Sequence, residues 1–325
     1  MTVLAYTLFY IELYALYVAS FGGGVDRRVS VIVPTRNRVQ ALGRAVRSIL
    51  AQTHAPYELI VVNDGNENAE FFQQIRLIDL DCQKAGVRFV HVGALSEARG
   101  GGQARNAGIE AARGEYVAFL DDDDAWLPEK LEKQLDVVTE ASVSGVACGA
   151  WFGRWSDDEF LVLKRTKRKL PNGCQRRAIL RGNFLGTTSG FLVLRQALLD
   201  VGGFDFRLPC LQDYDVYIRL ILGGRQVGFI SEPLILYRVG GGDQISKQYN
   251  RHVASTKMLI DKYRGREFGL TGAELNELSA TFYNLAAKAA SGVDRKAALK
   301  AAAQSACLRP LQVEAPARAL FALFR

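Results

Sequence analysis

Histidine and cysteine are scarce in this chain of 325 residues, and their scarcity removes whole classes of chemistry. The three histidines, His54, His91 and His252, stand far apart, which argues against a His-x-x-x-His metal pair or a histidine-centred triad. The five cysteines, Cys82, Cys148, Cys174, Cys210 and Cys307, are odd in number and form no C-x-x-C pair. That speaks against a disulfide framework or a structural zinc site and favours a reducing compartment. No basic stretch precedes the apolar N-terminus, as a secretory signal would require. Long polar tracts are missing too: 49% of residues are hydrophobic and 23% charged, which excludes disorder over most of the length. Carboxylates are left as the leading catalytic candidates.

Val3 to Phe21 is apolar apart from Glu12 and is followed by Gly22 to Gly24 and Arg27-Arg28. Its length allows a membrane span, at a cost of roughly 2.5–3.5 kcal/mol for the central acid. A helix packed on the domain or lying in a membrane interface is the alternative. If the segment spans, the arginine pair holds the rest of the chain in the cytoplasm. The net charge is +7, much of it in Lys164, Arg165, Lys167, Arg168 and Lys169. A solvated loop is the plain reading of that block, and an anionic membrane surface or a phosphorylated acceptor is the sharper one. No nucleic-acid partner is expected, because no recognition module accompanies the charge.

From Val29 onward, strand-like and helix-like patterns alternate. Val29–Val33, Glu58–Val62, Val87–Val92 and Glu115–Leu120 are β-branched or apolar runs, the first stopped by Pro34 and the second by the turn Asn63-Asp64-Gly65. Between them, Val39 to Gln52, the stretch around Phe71 to Ile78, and Gly100 to Ala112 have helical spacing. Further strands are expected at 143–152 and 189–194, and a pair about Pro233, with helices at 128–140 and 212–222. This order implies an α/β fold with a mostly parallel, Rossmann-like sheet flanked by helices. Alanine and leucine dominate from about Arg251, giving a helical C-terminal extension. The expected division is an N-terminal segment 1–24, a catalytic domain 25–245 and the extension 246–325.

The stretch Phe119-Leu-Asp-Asp-Asp-Asp-Ala-Trp126 ends a buried-looking strand on four adjacent acids. Carboxylates beside a low-dielectric interior are costly unless neutralised. In extended chain Asp121 and Asp123 share one side and Asp122 and Asp124 the other. Such a pair suits Mg²⁺ or Mn²⁺, which take a few carboxylate oxygens and leave positions for phosphate and water. Ligands bind outside the carboxyl ends of strands in open α/β sheets, where Pro34-Thr-Arg-Asn37 and Asn63-Asp64-Gly65 would join the acids.

VSVIVPTRNR, ELIVVNDG, ARNAGIEAARGEYVAFLDDDD and GGFD…LQDYDVYIRL occur in that order and together resemble the family 2 glycosyltransferases, over roughly Val29 to Tyr237. The resemblance implies the GT-A fold and metal-dependent, inverting transfer from a nucleotide-diphosphate sugar. It makes Pro34, Thr35 and Asn37 the loop bordering the nucleotide, with Arg36 a phosphate or base contact. It makes Asp64 the acid on the nucleoside base, typically uracil, and sets Arg105 and Asn106 beside the nucleotide. Asp121 and Asp123 match the Asp-x-Asp metal motif, Asp123 being the direct ligand, with Asp122 within the same donor site. Asp213 matches the general base; its plain reading is a helix N-cap. The family commonly has Glu before that position, and here Gln212 stands there. Trp151 and Trp155 read as packing residues, with stacking on an acceptor sugar the alternative.

The expectation is therefore a cytoplasm-facing glycosyltransferase, with a UDP-sugar as donor and a hydroxyl of a glycan or lipid-linked glycan as acceptor. A nucleotidyltransferase of related fold would open on a glycine-rich, lysine-containing loop, which Pro34-Thr-Arg-Asn-Arg38 is not. A non-catalytic glycan-binding protein would not need Asp121, Asp123 and Asp213 intact.

Overall fold

The computed structural model describes residues 27–93, 100–166, 169–240, 249–291 and 293–309. The apolar segment Val3–Phe21, part of the basic block (Lys167 and Arg168) and the C-terminal residues from 310 lie outside the described residues. Among the described residues no helix is long and apolar enough to cross a membrane.

The strands are β1 (Val29–Thr35), β2 (Glu58–Asn63), β3 (Arg88–Val92), β4 (Tyr116–Phe119), β5 (Ala125–Trp126), β6 (Gly145–Ser156), β7 (Glu159–Arg165), β8 (Phe191–Leu194) and β9 (Val227–Arg238). The helices are α1 (Val39–Leu50), α2 (Ala69–Ala85), α3 (Gly101–Ala111), α4 (Lys130–Ala141), α5 (Gln175–Arg181), α6 (Arg195–Asp200), α7 (Gln212–Leu222), α8 (Tyr249–Tyr263), α9 (Gly272–Ala290) and α10 (Arg295–Leu308). One sheet runs β3-β2-β1-β4-β8-β6-β9-β5, with β7 hydrogen-bonded to β6 outside that path. The half from β3 to β4 is parallel. Beyond β4 the sheet is mixed: β8 is antiparallel to both β4 and β6, while β6 and β9 are parallel.

Alternation along the strands builds two cores. In β1, Ile32 faces one layer while Val31 and Val33 face the other; in β2, Ile60 and Val62 oppose Leu59 and Val61. All seven side chains are fully buried, which is why these parallel strands read as continuous apolar runs. Each such burial contributes about 1.5–3 kcal/mol. Helices α1, α2 and α4 cover one face. The other is covered by α3 and α5 to α9, with Leu259, Ile260, Tyr263, Leu278 and Phe282 in the same core. The C-terminal helices thus share the core of the sheet. Close approach of α3 to β1 requires Gly108, where a Cβ would lie 2.4 Å from Ile32 Cγ2.

Three details differ from the sequence expectation. Pro34 lies inside β1, because β4 pairs with β1 only as far as Ile32, so the missing N–H falls where one neighbour has ended. The segment about Pro233 is one strand, β9, whose register against β6 shifts around Gly149. Lys164 and Arg165 belong to β7, the outer arm of a hairpin, rather than to a loop.

Candidate active site

Because β1, β2 and β4 run parallel, their carboxyl ends deliver Thr35, Asp64 and Asp121 to Asp124 to the same edge. Thr35, Asp64 and Asp121 to Asp123 line a cleft of about 520 Å³ together with Arg36, Arg105 and Asp213, with Asp124 buried behind them. Two residues named with them in the sequence are turned elsewhere. Asn37, at φ 55, accepts the Asn66 N–H at 2.9 Å through Oδ1 and packs so closely on Gly65 that a Cβ there would sit 2.5 Å away. Asn106 binds both the carbonyl and the N–H of Phe204, each at 2.8 Å, and so pins the Gly202-Gly203-Phe204 turn beside the cleft.

The acid run is a turn, closed by the Asp124 N–H on the Asp121 carbonyl at 3.1 Å, yet the alternation read in the sequence survives as burial. Asp122 and Asp124 are 4% and 1% exposed, and Asp121 and Asp123 face the cleft. Asp122 accepts from Thr35 Oγ1 at 2.8 Å and from Arg38 at 3.0 Å. Asp123 Oδ2 accepts from Arg38 at 3.0 Å and Arg238 at 3.2 Å, and Asp121 Oδ1 accepts from Arg105. Asp124 accepts from Ser189 Oγ at 2.7 Å and from the Arg238 N–H at 2.8 Å. Ser189 Oγ also accepts the Asp121 N–H at 3.1 Å, so one buried hydroxyl ties both ends of the run.

These donors do not balance the acids. Burial, and then the charges of its neighbours, pushes the Asp122 carboxyl up to about 6 against Arg38 and Thr35. Burial and Asp121 raise Asp123, and burial with Asp123 and Asp121 raises Asp124 well above the usual carboxylate range. Positive charge is short here. One oxygen of Asp121 and one of Asp123 are engaged by arginine, and the other of each accepts no hydrogen bond among the described residues. Among those residues no group of three or more His, Cys, Asp and Glu forms a metal cage. A hard divalent ion that takes one or two carboxylates, then phosphate and water, fits this donor set.

Asp64 is 5% exposed, and burial raises it against the pull of Arg36 and the Gly100 N–H. Its Oδ1 is buried without a hydrogen-bond partner among the described residues, an acceptor at the cleft to which none of them donates. Asp213 is not the helix cap: that place is held by Leu211 in the left-handed region, at φ 62, and Asp213 lies in the first turn of α7. Leucine is rare in that conformation, and the strain is local to the residue that aims the turn. Gln212 donates to the Leu208 carbonyl at 2.6 Å, a bond that the expected glutamate could not make when ionised.

Asp215, two residues on, is structural. It is fully buried and held by Arg219, Lys262 and Tyr263. Trp155 is a packing residue: its indole donates to the Asp123 carbonyl at 3.0 Å and its ring lies between Arg44 and Phe160. Sequence reading missed Arg38, Arg238 and Ser189. Arg38 is the last residue of the block VSVIVPTRNR, whereas Arg238 reaches Asp123 from 115 residues away, and nothing local announces that. It also missed Arg251 and His252 of α8, which line the cleft from the C-terminal extension.

The family model for glycosyl transferase family 2 matches residues 30–202, more than half of the chain. A Bacillus subtilis protein named for teichuronic acid biosynthesis, the glycosyltransferase TuaG, is 40% identical over 116 residues, covering 35% of this chain and 43% of that one. The chain thus spans less than half the length of such curated relatives. S. aureus TarS 1–349, solved with UDP-GlcNAc, superposes with a TM-score of 0.60 at 18% identity, over 91% of this chain and 89% of that one. The Pyrobaculum calidifontis mannosyltransferase PcManGT, solved with GDP-Man and Mn²⁺, gives 0.55 at 17% identity over 91% and 79%. These two likenesses show the GT-A fold. With the blocks in order, the acids at the shared strand edge and the family model over most of the sheet, the chain belongs to glycosyl transferase family 2.

Proposed function

We propose that the cleft transfers a sugar, with inversion, from a nucleotide-diphosphate donor to a hydroxyl of a glycan or lipid-linked glycan. The observation that carries this reading is the uncompensated negative charge of Asp121 to Asp124 at the edge where a diphosphate would lie. Mg²⁺ or Mn²⁺ held by Asp123 and Asp121 would offset the charge of the leaving diphosphate when bound. The Mn²⁺ bound with GDP-Man in PcManGT supports that assignment.

The chain's own residues do the rest. Asp64 Oδ1 accepts the N–H of the base, which favours uracil, whose N3–H faces such an acceptor; the UDP-GlcNAc bound by TarS agrees. Thr35 and Arg38 hold Asp122 in place behind the phosphates, and Arg36 meets the base or a phosphate. Pro34 borders the nucleotide, while Asn37 and Asn106 act as positioning residues through the turns they pin. Asp213 takes the proton of the acceptor hydroxyl as that oxygen attacks the anomeric carbon and the bond to the diphosphate breaks. Arg105 lies between the two roles, paired with Asp121 and within the field of Asp213.

The test is a panel of nucleotide sugars incubated with the full chain, without acceptor, in Mn²⁺ or in chelator. One donor should be hydrolysed slowly and only with metal. In a parallel incubation with nucleoside triphosphates and sugar 1-phosphates, release of pyrophosphate would favour the nucleotidyltransferase reading instead. No turnover of any donor, with or without glycan acceptors, would favour a binding protein.

A further inference from the structure

Helix α8 has two working faces. Arg251 and His252 line the catalytic cleft with Asp213, while Tyr249, two residues before them, and Val253, one after, line a separate groove. That groove holds about 510 Å³ between α8, α9 and α10, within the usual range of small-molecule sites of about 300–1,000 Å³. Its floor is apolar: Val253, Ile260, Tyr283, Ala286, Ala297 and Ala301. The alanines let α10 lie close to α9 yet leave space that larger residues would fill. Val253 is 42% exposed, an apolar surface left open to solvent.

The rim is cationic. Lys257, Arg264 and Lys300 line it against a single acid, Asp261, which is paired with Arg264 at 2.9 Å. Neither Lys257 nor Lys300 has an ion-pair partner among the described residues. An apolar floor under two uncommitted ammonium groups is complementary to an amphiphile with an anionic head. A neutral glycan would not use the floor, and an inorganic anion would not need it.

We propose that the groove binds the alkyl chain and phosphate of a lipid carrier, from which the acceptor sugar crosses the start of α8 into the cleft at Asp213. The inference rests on the transferase reading and adds the substrate class: an acceptor joined through phosphate to a long hydrocarbon. The lipid is taken as a single molecule lifted from its bilayer, not as the bilayer surface.

The experiment uses the full chain and dodecyl phosphate below its micelle concentration, followed by titration calorimetry, with dodecyl maltoside and inorganic phosphate as controls. Dodecyl phosphate should bind saturably, at least about tenfold tighter than dodecyl maltoside, and phosphate alone should not bind. Lys257→Gln with Lys300→Gln should weaken it about tenfold. Ala297→Trp, at a partly exposed helix position, should fill the groove and abolish binding, and neither variant should change slow donor hydrolysis. Equal binding by all variants, or none by the wild type (as when the chain's own C-terminal residues fill the groove), would overturn the proposal. So would binding to phosphatidylglycerol vesicles that Ala297→Trp leaves unchanged. If the wild type hydrolyses a donor but does not bind dodecyl phosphate, the groove fails and the transferase reading stands; if it hydrolyses none, the transferase reading fails first.

Discussion

Asp215 and Asp122 are both carboxylates held out of water, at 0% and 4% exposure, yet the fold surrounds them differently. Around Asp215, Arg219 donates from two nitrogens at 2.9 and 2.7 Å, Lys262 comes within 2.9 Å and the Tyr263 hydroxyl donates at 2.9 Å. Lys262 extends the cluster to Asp205, which Arg207 and Lys262 hold well below the usual carboxylate range. This group joins α7 to α8, and acids and cations are matched. Around Asp121 to Asp124, three arginines and two hydroxyls face four acids, and Asp122 is pushed up to about 6. Matched acids fix the C-terminal helices to the sheet. Unmatched ones leave a demand for positive charge that a ligand can meet.

The largest effects should separate the two clusters by kind. Asp213→Asn should keep donor binding and the unfolding midpoint but lose turnover by about 10²–10⁴-fold, the usual contribution of a positioned base. Normal turnover in that variant would reduce Asp213 to a first-turn acid of α7. Asp215→Asn should do the reverse. Removing the charge leaves Arg219 largely buried without its acid and Lys262 with Asp205 alone, so stability measured by denaturant should fall by up to about 3–5 kcal/mol. An unchanged midpoint would show the cluster to be as loosely held as the acid run.

Ser189 belongs to the second group through Asp124 and to the fold through its burial. Ser189→Ala leaves the Asp124 oxygen without its hydroxyl, a loss of about 1–3 kcal/mol, and metal dependence should shift with it. A variant of normal stability whose metal dependence is unchanged would remove Ser189 from the account.

The smallest effect is a pH signature. Asp205 is depressed in the folded state, so its stabilisation is present above its unfolded value of about 4 and is lost as pH falls below it. Asp205→Asn should therefore be less stable than wild type at pH 7, with the gap closing below about pH 4. A gap as wide at pH 2 as at pH 7 would assign the loss to packing.

The central parallel strands and the acid edge were legible because one-dimensional patterns decide them: apolar runs ended by Asn63-Asp64-Gly65 and by Asp121 to Asp124. The 212–222 helix was read to its ends for the same reason. Strand β7 was not, because Leu161, Val162 and Leu163 are all more than half exposed and Asp157-Asp158 resembles an ordinary loop. The two-residue β5 is fixed only by its pairing to β9. At the site, the acids were visible but their donors were not, since Arg238 at the end of β9 and Ser189 just before β8 arrive through the tertiary pairing of those strands in the sheet. The same holds for Asp215: its sequence context is a helix start, and only Lys262 and Tyr263, 47 and 48 residues on, make it structural.

The central claim is that the acid run is short of positive charge until metal and nucleotide arrive together. Titration of Mn²⁺ into the full chain, with and without UDP, measures this directly in wild type and in Asp123→Asn. Mn²⁺ should bind weakly alone and at least about tenfold more tightly with UDP, and Asp123→Asn should lose that gain without losing its fold. UDP binding of equal strength in excess chelator, or a full gain in Asp123→Asn, would contradict the account.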